Sequence, residues 1–110
     1  MPEELAPILH TQSTNTAIQW YARLGFELEG EHQFVKGMPI YVFLRRGPII
    51  LHLSEHQGDA KPGTLSYMFV HDLDAIATEF AAEIIEQPWR REVHLTDPDG
   101  NRWRIGERKS

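Results

Sequence analysis

The sequence predicts an α+β fold in which two β-α-β-β-β modules form a curved mixed sheet with helices on the outside. Two stripes of apolar residues at helical spacing, each surrounded by short apolar segments, predict the elements of the two modules. A polar stretch rich in Gly and Pro, residues 55–63, separates the halves. The halves also repeat faintly, because a shift of 59 positions places Ser13 on Asp72 and Tyr21 on Phe80.

The first module begins with a short apolar strand that ends at His10, and a helix follows it. Ser13 stands where a cap residue accepts an amide hydrogen from the first helical turn. Gly25 stands where a residue with positive φ would end the helix. Three further segments have the alternating, β-branched or aromatic character of strands, at residues 26–30, 40–44 and 49–53.

The second module repeats this order. Asp72 stands at the cap position of its helix, which follows a predicted strand. The segment Asp97-Pro98-Asp99-Gly100 predicts a tight turn, because Gly accepts positive φ and Asp bonds to its own backbone, so the two Asp side chains are interpreted as turn formers. The predicted strands are residues 65–70, 84–87, 91–96 and 102–105.

Length and composition limit the class of protein. The 110 residues carry a net charge of −5, are 41% hydrophobic and include no Cys. We therefore expect one domain, 1–110, with modules at about 5–54 and 64–108 and without disulfides, thiolate chemistry, zinc ribbons or iron–sulfur clusters. The acidic charge argues against nucleic acid as a partner.

The beginning of the chain and its longest apolar run bear on location. Glu3 and Glu4 stand where a secretory signal would need positive charge, so we expect a cytoplasmic protein. The longest apolar run, 49–51, has the length of a strand, so we expect no membrane partner.

Two segments carry a resemblance to a known family. Residues 17–26, AIQWYARLGF, follow the first strand, and residues 97–101, DPDGN, precede the last one. With the duplicated β-α-β-β-β pattern, they resemble the glyoxalase, bleomycin-resistance and extradiol-dioxygenase superfamily, also called the vicinal oxygen chelate superfamily. The resemblance covers nearly the whole chain and is closest to the bleomycin-resistance-type binding proteins.

The resemblance also implies where a metal would bind. Members that hold a divalent metal use four inward-pointing ligands, usually His and Glu, and the matching positions here are Ala6, His52, Leu65 and Arg104. Only His52 has a lone pair to donate, since Ala and Leu have no polar atom and guanidinium stays protonated. We therefore expect no metal, no cofactor and no catalytic residue, and the balance favours a protein that is not an enzyme.

The positions matched to the metal ligands also predict which strand face binds a ligand. Because alternate residues of a strand share a face, Ala6 and Arg104 would be accompanied by further polar and aromatic side chains. Trp89, in a predicted loop, either lines the same groove or contacts a second subunit. The predicted ligand-binding residues are His10, His52, Tyr67, Phe69, Trp89, Arg102 and Arg104.

Structural roles remain open for some of these residues. For His10 and His52 taken singly, a packing or interface role is favoured over ligand binding. Arg102 and Arg104 could form salt bridges with Glu107 or another carboxylate. For the two arginines, the sequence does not decide between a salt bridge and ligand binding.

The resulting hypothesis is a metal-free, homodimeric binding protein that sequesters an aromatic antibiotic-like molecule in grooves built from both subunits. The acidic net charge suits a cationic ligand such as bleomycin, whereas Arg102 and Arg104 disfavour one. One alternative is a metal-dependent lyase or dioxygenase whose rearranged ligand set includes His10 and His52. Another is an accessory module that binds a protein through a sheet edge. The identity of the ligand and the pairing of the modules, within one chain or across a dimer, stay open.

Overall fold

The computed structural model describes residues 3–109. The chain divides into two compact units, Met1–Pro62 and Gly63–Ser110. Each unit is one β-α-β-β-β module with its own four-stranded mixed sheet. The predicted α+β class and the two modules are therefore confirmed.

The first module consists of β1 (Ile8–His10), α1 (Thr14–Arg23), β2 (Glu27–Gln33), β3 (Ile40–Arg46) and β4 (Ile49–Ser54). Its strand order is β1-β4-β3-β2, with β1 parallel to β4 and the other pairs antiparallel. The helix packs on β2 and β3 through its apolar stripe. The core of this module contains Leu9, Ala17, Tyr21, Leu24, Phe26, Val42, Leu44, Leu51 and Leu53.

Local hydrogen bonds explain where α1 begins and ends. The Ser13 hydroxyl accepts from the Thr16 amide at 3.3 Å, as the sequence predicts for a cap. Gly25 has a φ of 93°, which lets the chain turn out of the helix toward β2. The carboxylate of Glu55 also binds the helix start, accepting from the Thr14 amide at 2.8 Å and from the Ile40 amide at 3.1 Å. Glu55 therefore ties α1 to the beginning of β3.

The second module consists of β5 (Leu65–Phe69), α2 (Leu73–Phe80), β6 (Ile85–Glu86), β7 (Arg90–Thr96) and β8 (Arg102–Arg108). Its order is β5-β8-β7-β6, with β5 parallel to β8 and the other pairs antiparallel. The helix packs on β7 and β8. The core of this module contains Met68, Val70, Leu73, Ile76, Ala77, Val93, Leu95, Trp103 and Ile105.

The turn between β7 and β8 is built as predicted. Asp97 is buried, and its Oδ1 accepts from the amides of Asp99 at 2.8 Å and Asn101 at 2.9 Å. Its Oδ2 accepts from the Asn101 side-chain amide at 3.0 Å. Gly100 has a φ of 84°, which completes the reversal. The two Asp residues therefore form the turn, as the sequence analysis interprets them.

Some strand limits differ from the prediction. The second strand continues to Gln33 although its apolar alternation stops near Gly30, because backbone pairing with β3 continues beyond a bulge between Leu28 and Gly30. The last strand likewise continues to Arg108 through its pairing with β7. The strand predicted at 84–87 contains only two residues. Within residues 3–109, neither helix is long and apolar enough to cross a membrane.

Candidate functional site

Each sheet has one face against its helix and one face turned away from it. In the second module, the residues toward α2 are buried, among them Val93, Trp103 and Ile105. The alternate residues of β5, β7 and β8 lie opposite one another on the other face. We call this surface the second open face, and it comprises Leu65, Tyr67, Phe69, Arg90, Glu92, His94, Thr96, Arg102, Arg104, Gly106 and Arg108.

Two aromatic rings lie side by side on the second open face. The ring centroids of Tyr67 and Phe69 are 4.9 Å apart with an interplanar angle of 47°. The rings cross β8 at Gly106, where an added Cβ would stand 2.6 Å from the Tyr67 hydroxyl and 3.2 Å from the Phe69 ring. A side chain at this position would displace the Tyr67 ring, and glycine leaves space for it. Tyr67 and Phe69 remain 39% and 37% exposed, so a ligand can reach them.

Guanidinium groups flank the two rings. The Arg90 guanidinium carbon lies 5.1 Å from the Tyr67 centroid and 5.4 Å from the Trp89 centroid. The Arg108 guanidinium carbon lies 3.9 Å from the centroid of Phe69. Both distances to Tyr67 and Phe69 fall within the range of cation–π attraction. Contacts between neighbouring side chains therefore form a row that runs through Trp89, Arg90, Tyr67, Phe69 and Arg108.

Glu92 is the buried carboxylate of the second open face, with only 3% of its surface exposed. Its Oε1 accepts from the Tyr67 hydroxyl at 3.1 Å and from Arg90 Nε at 2.9 Å. Its Oε2 lies 2.6 Å from Nε2 of His94. The hydrogen bond from His94, with those from Tyr67 and Arg90, outweighs burial and lowers the pKa of Glu92. Glu92 therefore stays ionised and orients three neighbouring side chains.

The state of the Tyr67 hydroxyl follows from the same contacts. Burial raises the pKa of Tyr67, and the hydrogen bond to Glu92 raises it further. The phenol consequently keeps its proton and donates a hydrogen bond to the carboxylate. This bond fixes the ring of Tyr67 over Gly106.

Arg102 and Arg104 project from β8 without a carboxylate partner in residues 3–109. Glu107, the carboxylate considered from the sequence, instead accepts from Arg91 at 3.1 Å. Arg102 and Arg104 line a hollow of about 100 Å³ together with Leu65, His94, Leu95, Thr96 and Trp103. A second hollow, of about 390 Å³, is lined by Phe69, Val70, His71, Glu107, Arg108 and Lys109.

The first module has an open face of different chemistry. Register places His52 beside Ile8 on one side and Phe43 on the other. The Tyr41 hydroxyl lies 2.8 Å from His52 Nδ1, and the Phe43 ring stands perpendicular to the imidazole at 4.9 Å. Burial lowers the pKa of His52 and raises that of Tyr41. Both groups are therefore neutral near pH 7, and their hydrogen bond joins a neutral phenol to a neutral imidazole.

Six of the predicted ligand-binding residues lie on the open faces of the two modules. Four of them share the second open face: Tyr67, Phe69, Arg102 and Arg104. His10 and His52 lie on the open face of the first module, where His10 stands opposite Ser54 and His52 opposite Ile8.

Trp89 lies just before β7, with 61% of its surface exposed. Its ring is flanked by the Arg90 guanidinium, as described above. Its role, as a wall of the groove or as a dimer contact, stays a prediction, as does ligand binding by the other six residues.

Four residues of the second open face were missed from the sequence: Arg90, Glu92, His94 and Arg108. The strand at 91–96 was predicted without assigning its faces. A signal was present, because Arg90, Glu92 and His94 alternate along one strand and share a face by that spacing alone.

The four positions implied for a metal do not form a metal site. The side chains of Ala6, Leu65 and Arg104 offer no lone pair, so His52 would be the single ligand among the four positions. Within residues 3–109, no group of three or more His, Asp or Glu residues is placed to share an ion. The residues present therefore do not fit a divalent metal.

Family membership follows from comparison with known proteins. A family model described as glyoxalase superfamily protein matches residues 2–110. The chain belongs to the glyoxalase superfamily. No curated protein sequence matches this superfamily member.

Solved structures share the fold of this glyoxalase-superfamily chain at low identity. A glyoxalase-related enzyme from Clostridium phytofermentans has a TM-score of 0.78 at 20% identity, covering 99% of this chain and 97% of its own. TnmS3, an antibiotic-binding protein from Streptomyces sp. CB03234, has a TM-score of 0.77 at 19%, covering 99% and 98%. A bleomycin resistance determinant encoded on the transposon Tn5 has a TM-score of 0.76 at 18%, covering 99% and 100%. At these identities the likeness establishes the fold alone.

Proposed function

We propose that this protein captures an aromatic, antibiotic-like small molecule without transforming it, and that it does so without a metal. The observation that carries the proposal is the pair of exposed rings, Tyr67 and Phe69, that lie over Gly106 between the guanidiniums of Arg90 and Arg108. A planar ligand stacked on such a surface gains about 0.5–1.5 kcal/mol per ring pair beyond the area it buries.

The pre-formed geometry of the rings supports binding. The hydrogen bond from Tyr67 to Glu92 fixes one ring, and the contact with Arg108 fixes the other. Side chains held in place before the ligand arrives lose little conformational freedom on binding. The antibiotic-binding and bleomycin-resistance proteins that share this fold support an antibiotic-like ligand.

The absence of four suitable donors supports a metal-free site. The metal-dependent reactions implied by the family resemblance need a Lewis acid that the side chains of Ala6, Leu65 and Arg104 cannot hold. In this proposal the protein is a cytoplasmic homodimer whose grooves are built from both subunits. Sedimentation equilibrium at micromolar concentration tests the dimer, and a monomeric mass would contradict that part.

Binding is tested by calorimetric titration with three antibiotics of different charge: bleomycin with and without copper, neutral chloramphenicol and anionic nalidixate. We expect micromolar binding of at least one, with the compound recovered unchanged by mass spectrometry. Phe69→Leu should weaken binding about tenfold, because it removes one stacked ring. Phe34→Leu is the matched control, since Phe34 is 79% exposed in the first module. Absence of binding by all three compounds would contradict the proposal.

The second candidate is a metal-dependent lyase or dioxygenase with a rearranged ligand set. The observation in its favour is that His10 and His52 share the open face of the first module. It requires a stoichiometric divalent ion after purification without chelator, measured by elemental analysis. Such an ion, lost in a His10→Ala variant, would favour this candidate over metal-free binding.

A further inference from the structure

The second open face carries a charge opposite to that of the whole protein. Among the described residues, this face presents four arginines and one carboxylate, that of Glu92. The complete chain has a net charge of −5. A cluster of arginines creates a local positive potential on an otherwise acidic protein, and that potential attracts negatively charged ligands. The four arginines are Arg90, Arg102, Arg104 and Arg108.

The four arginines differ in what they contact. Arg90 is paired with Glu92 at 2.9 Å, and Arg108 lies against the ring of Phe69. Within residues 3–109, Arg102 and Arg104 form no ion pair with a carboxylate and no cation–π contact with an aromatic ring. They are two residues apart on β8, which places their Cα atoms about 7 Å from one another on the same face.

The hollow between these two arginines has the size of a functional group. Its volume of about 100 Å³ is a few times the share of one water molecule in the liquid, about 30 Å³. His94 and Thr96 add polar side chains to its wall, and Leu65 adds an apolar one. The guanidinium fork matches the paired oxygens of a carboxylate or a phosphate. The hollow therefore has the room and the hydrogen-bond donors for an acidic group.

We propose that this hollow binds the acidic oxygen group of a ligand whose aromatic rings rest on Tyr67 and Phe69, so that the ligand of this protein is an aromatic anion. Register supports the combination, because Tyr67 stands opposite Arg104 across β5 and β8. The inference rests on the proposed binding function and specifies the ligand class. It excludes a cationic drug as the preferred ligand of this face.

The test uses three 2-substituted naphthalenes of similar size and different charge: the anion 2-naphthoate, neutral 2-naphthalenemethanol and the cation 2-naphthylmethylammonium. Each is titrated into the isotopically labelled full-length protein and followed by two-dimensional NMR, which measures weak affinities and locates the contact. We expect 2-naphthoate to bind at least about tenfold more tightly than either analogue, with shifts at Arg102 and Arg104. Its affinity should fall as salt is added.

Two variants and one control separate local from overall charge. Arg102→Gln and Arg104→Gln should each weaken the binding of 2-naphthoate about tenfold and leave the affinity for the neutral analogue unchanged. Lys36→Gln removes the same unit charge from an exposed turn of the first module and should leave all affinities unchanged. The NMR spectra of the variants report directly that each still folds.

The outcomes distinguish this inference from the proposed function. If the three compounds bind equally, or the cation binds best, the anion preference is wrong while aromatic binding stands. If Lys36→Gln weakens 2-naphthoate as much as the arginine variants do, the hollow is not the site and the inference fails. If none of the three binds, both the inference and the aromatic surface are contradicted.

Discussion

The hydroxyl of Tyr67 lies 2.6 Å from the point where a Cβ of residue 106 would stand. Gly106 therefore provides the space in which this ring lies across β8, and the adjacent Phe69 ring uses the same space at 3.2 Å. The position of Tyr67 in turn allows its hydrogen bond to Glu92. One missing side chain thus shapes the aromatic surface of the second open face.

Gly106→Ala tests this relationship. The added methyl group displaces the Tyr67 ring and breaks its bond to buried Glu92, so we expect a loss of about 1–3 kcal/mol in the free energy of unfolding. Binding of aromatic ligands should also weaken. The control is Gly30→Ala, whose Cβ would meet Phe43 at an ordinary 3.6 Å. Equal stability of the two variants in urea denaturation would contradict this role of Gly106.

Glu92→Gln tests the buried carboxylate. The amide keeps the shape but loses the charge that Arg90, Tyr67 and His94 contact, so we expect unfolding to become easier by about 1–3 kcal/mol. The pKa of Tyr67 should fall toward its ordinary value of 10.0, since one of the influences that raise it is removed. Ultraviolet titration measures that change. Glu31→Gln, on exposed β2, is the control that should alter neither quantity.

Glu55→Gln tests the pH dependence of stability. Burial raises the pKa of Glu55, but hydrogen bonds from the amides of Thr14 and Ile40 outweigh it, and the net pKa lies below the ordinary 4.5. A carboxyl with a lowered pKa in the folded state stabilises the fold above pH 4.5. That stabilisation is lost as pH falls through the lowered value.

We expect the difference in the free energy of unfolding between wild type and Glu55→Gln to be largest at pH 7. This difference should shrink below pH 4.5. Urea denaturation at pH 7, 5 and 3 measures it. A gap that stays constant over this range would show that Glu55 is not held as an anion by α1 and β3.

Asp97→Ala tests the turn before β8. Removing a buried carboxylate that accepts from Asp99 and Asn101 leaves those donors unsatisfied. We therefore expect the free energy of unfolding to fall by about 2–4 kcal/mol. Asp99→Ala, at a partly exposed position of the same turn, should cost less. Thermal unfolding of both variants compares them, and an equal loss would contradict the central role of Asp97.

The sequence predicted most parts of the fold that depend on local patterns, although Asp72 stands at the cap position of α2 without a side-chain capping bond. Ser13, Gly25 and Gly100 act through the backbone of their own neighbours, and the structure places each in its predicted role. The extent of β2 was not predictable, because its pairing with β3 continues where the apolar alternation ends. Pairing between strands is not encoded in the pattern of either strand alone.

The candidate site was only partly predictable for the same reason. Alternation along β5 and β8 placed Tyr67 and Arg104 on one face from the sequence. The role of Gly106 depends on its register with Phe69, and that of Glu92 on its contact with Tyr67 across the sheet. These relationships join residues far apart in the chain, which a periodic pattern does not reveal.

The central claim is that aromatic molecules are bound on the second open face and leave it unchanged. The most direct measurement is a two-dimensional NMR titration of the metal-free protein with nalidixate, in which the spectra of protein and ligand are recorded together. We expect chemical-shift changes concentrated at Tyr67, Phe69, Arg102 and Arg104, with the ligand spectrum restored after release. Shifts confined to the first module, or a ligand that is converted once a divalent metal is added, would contradict it.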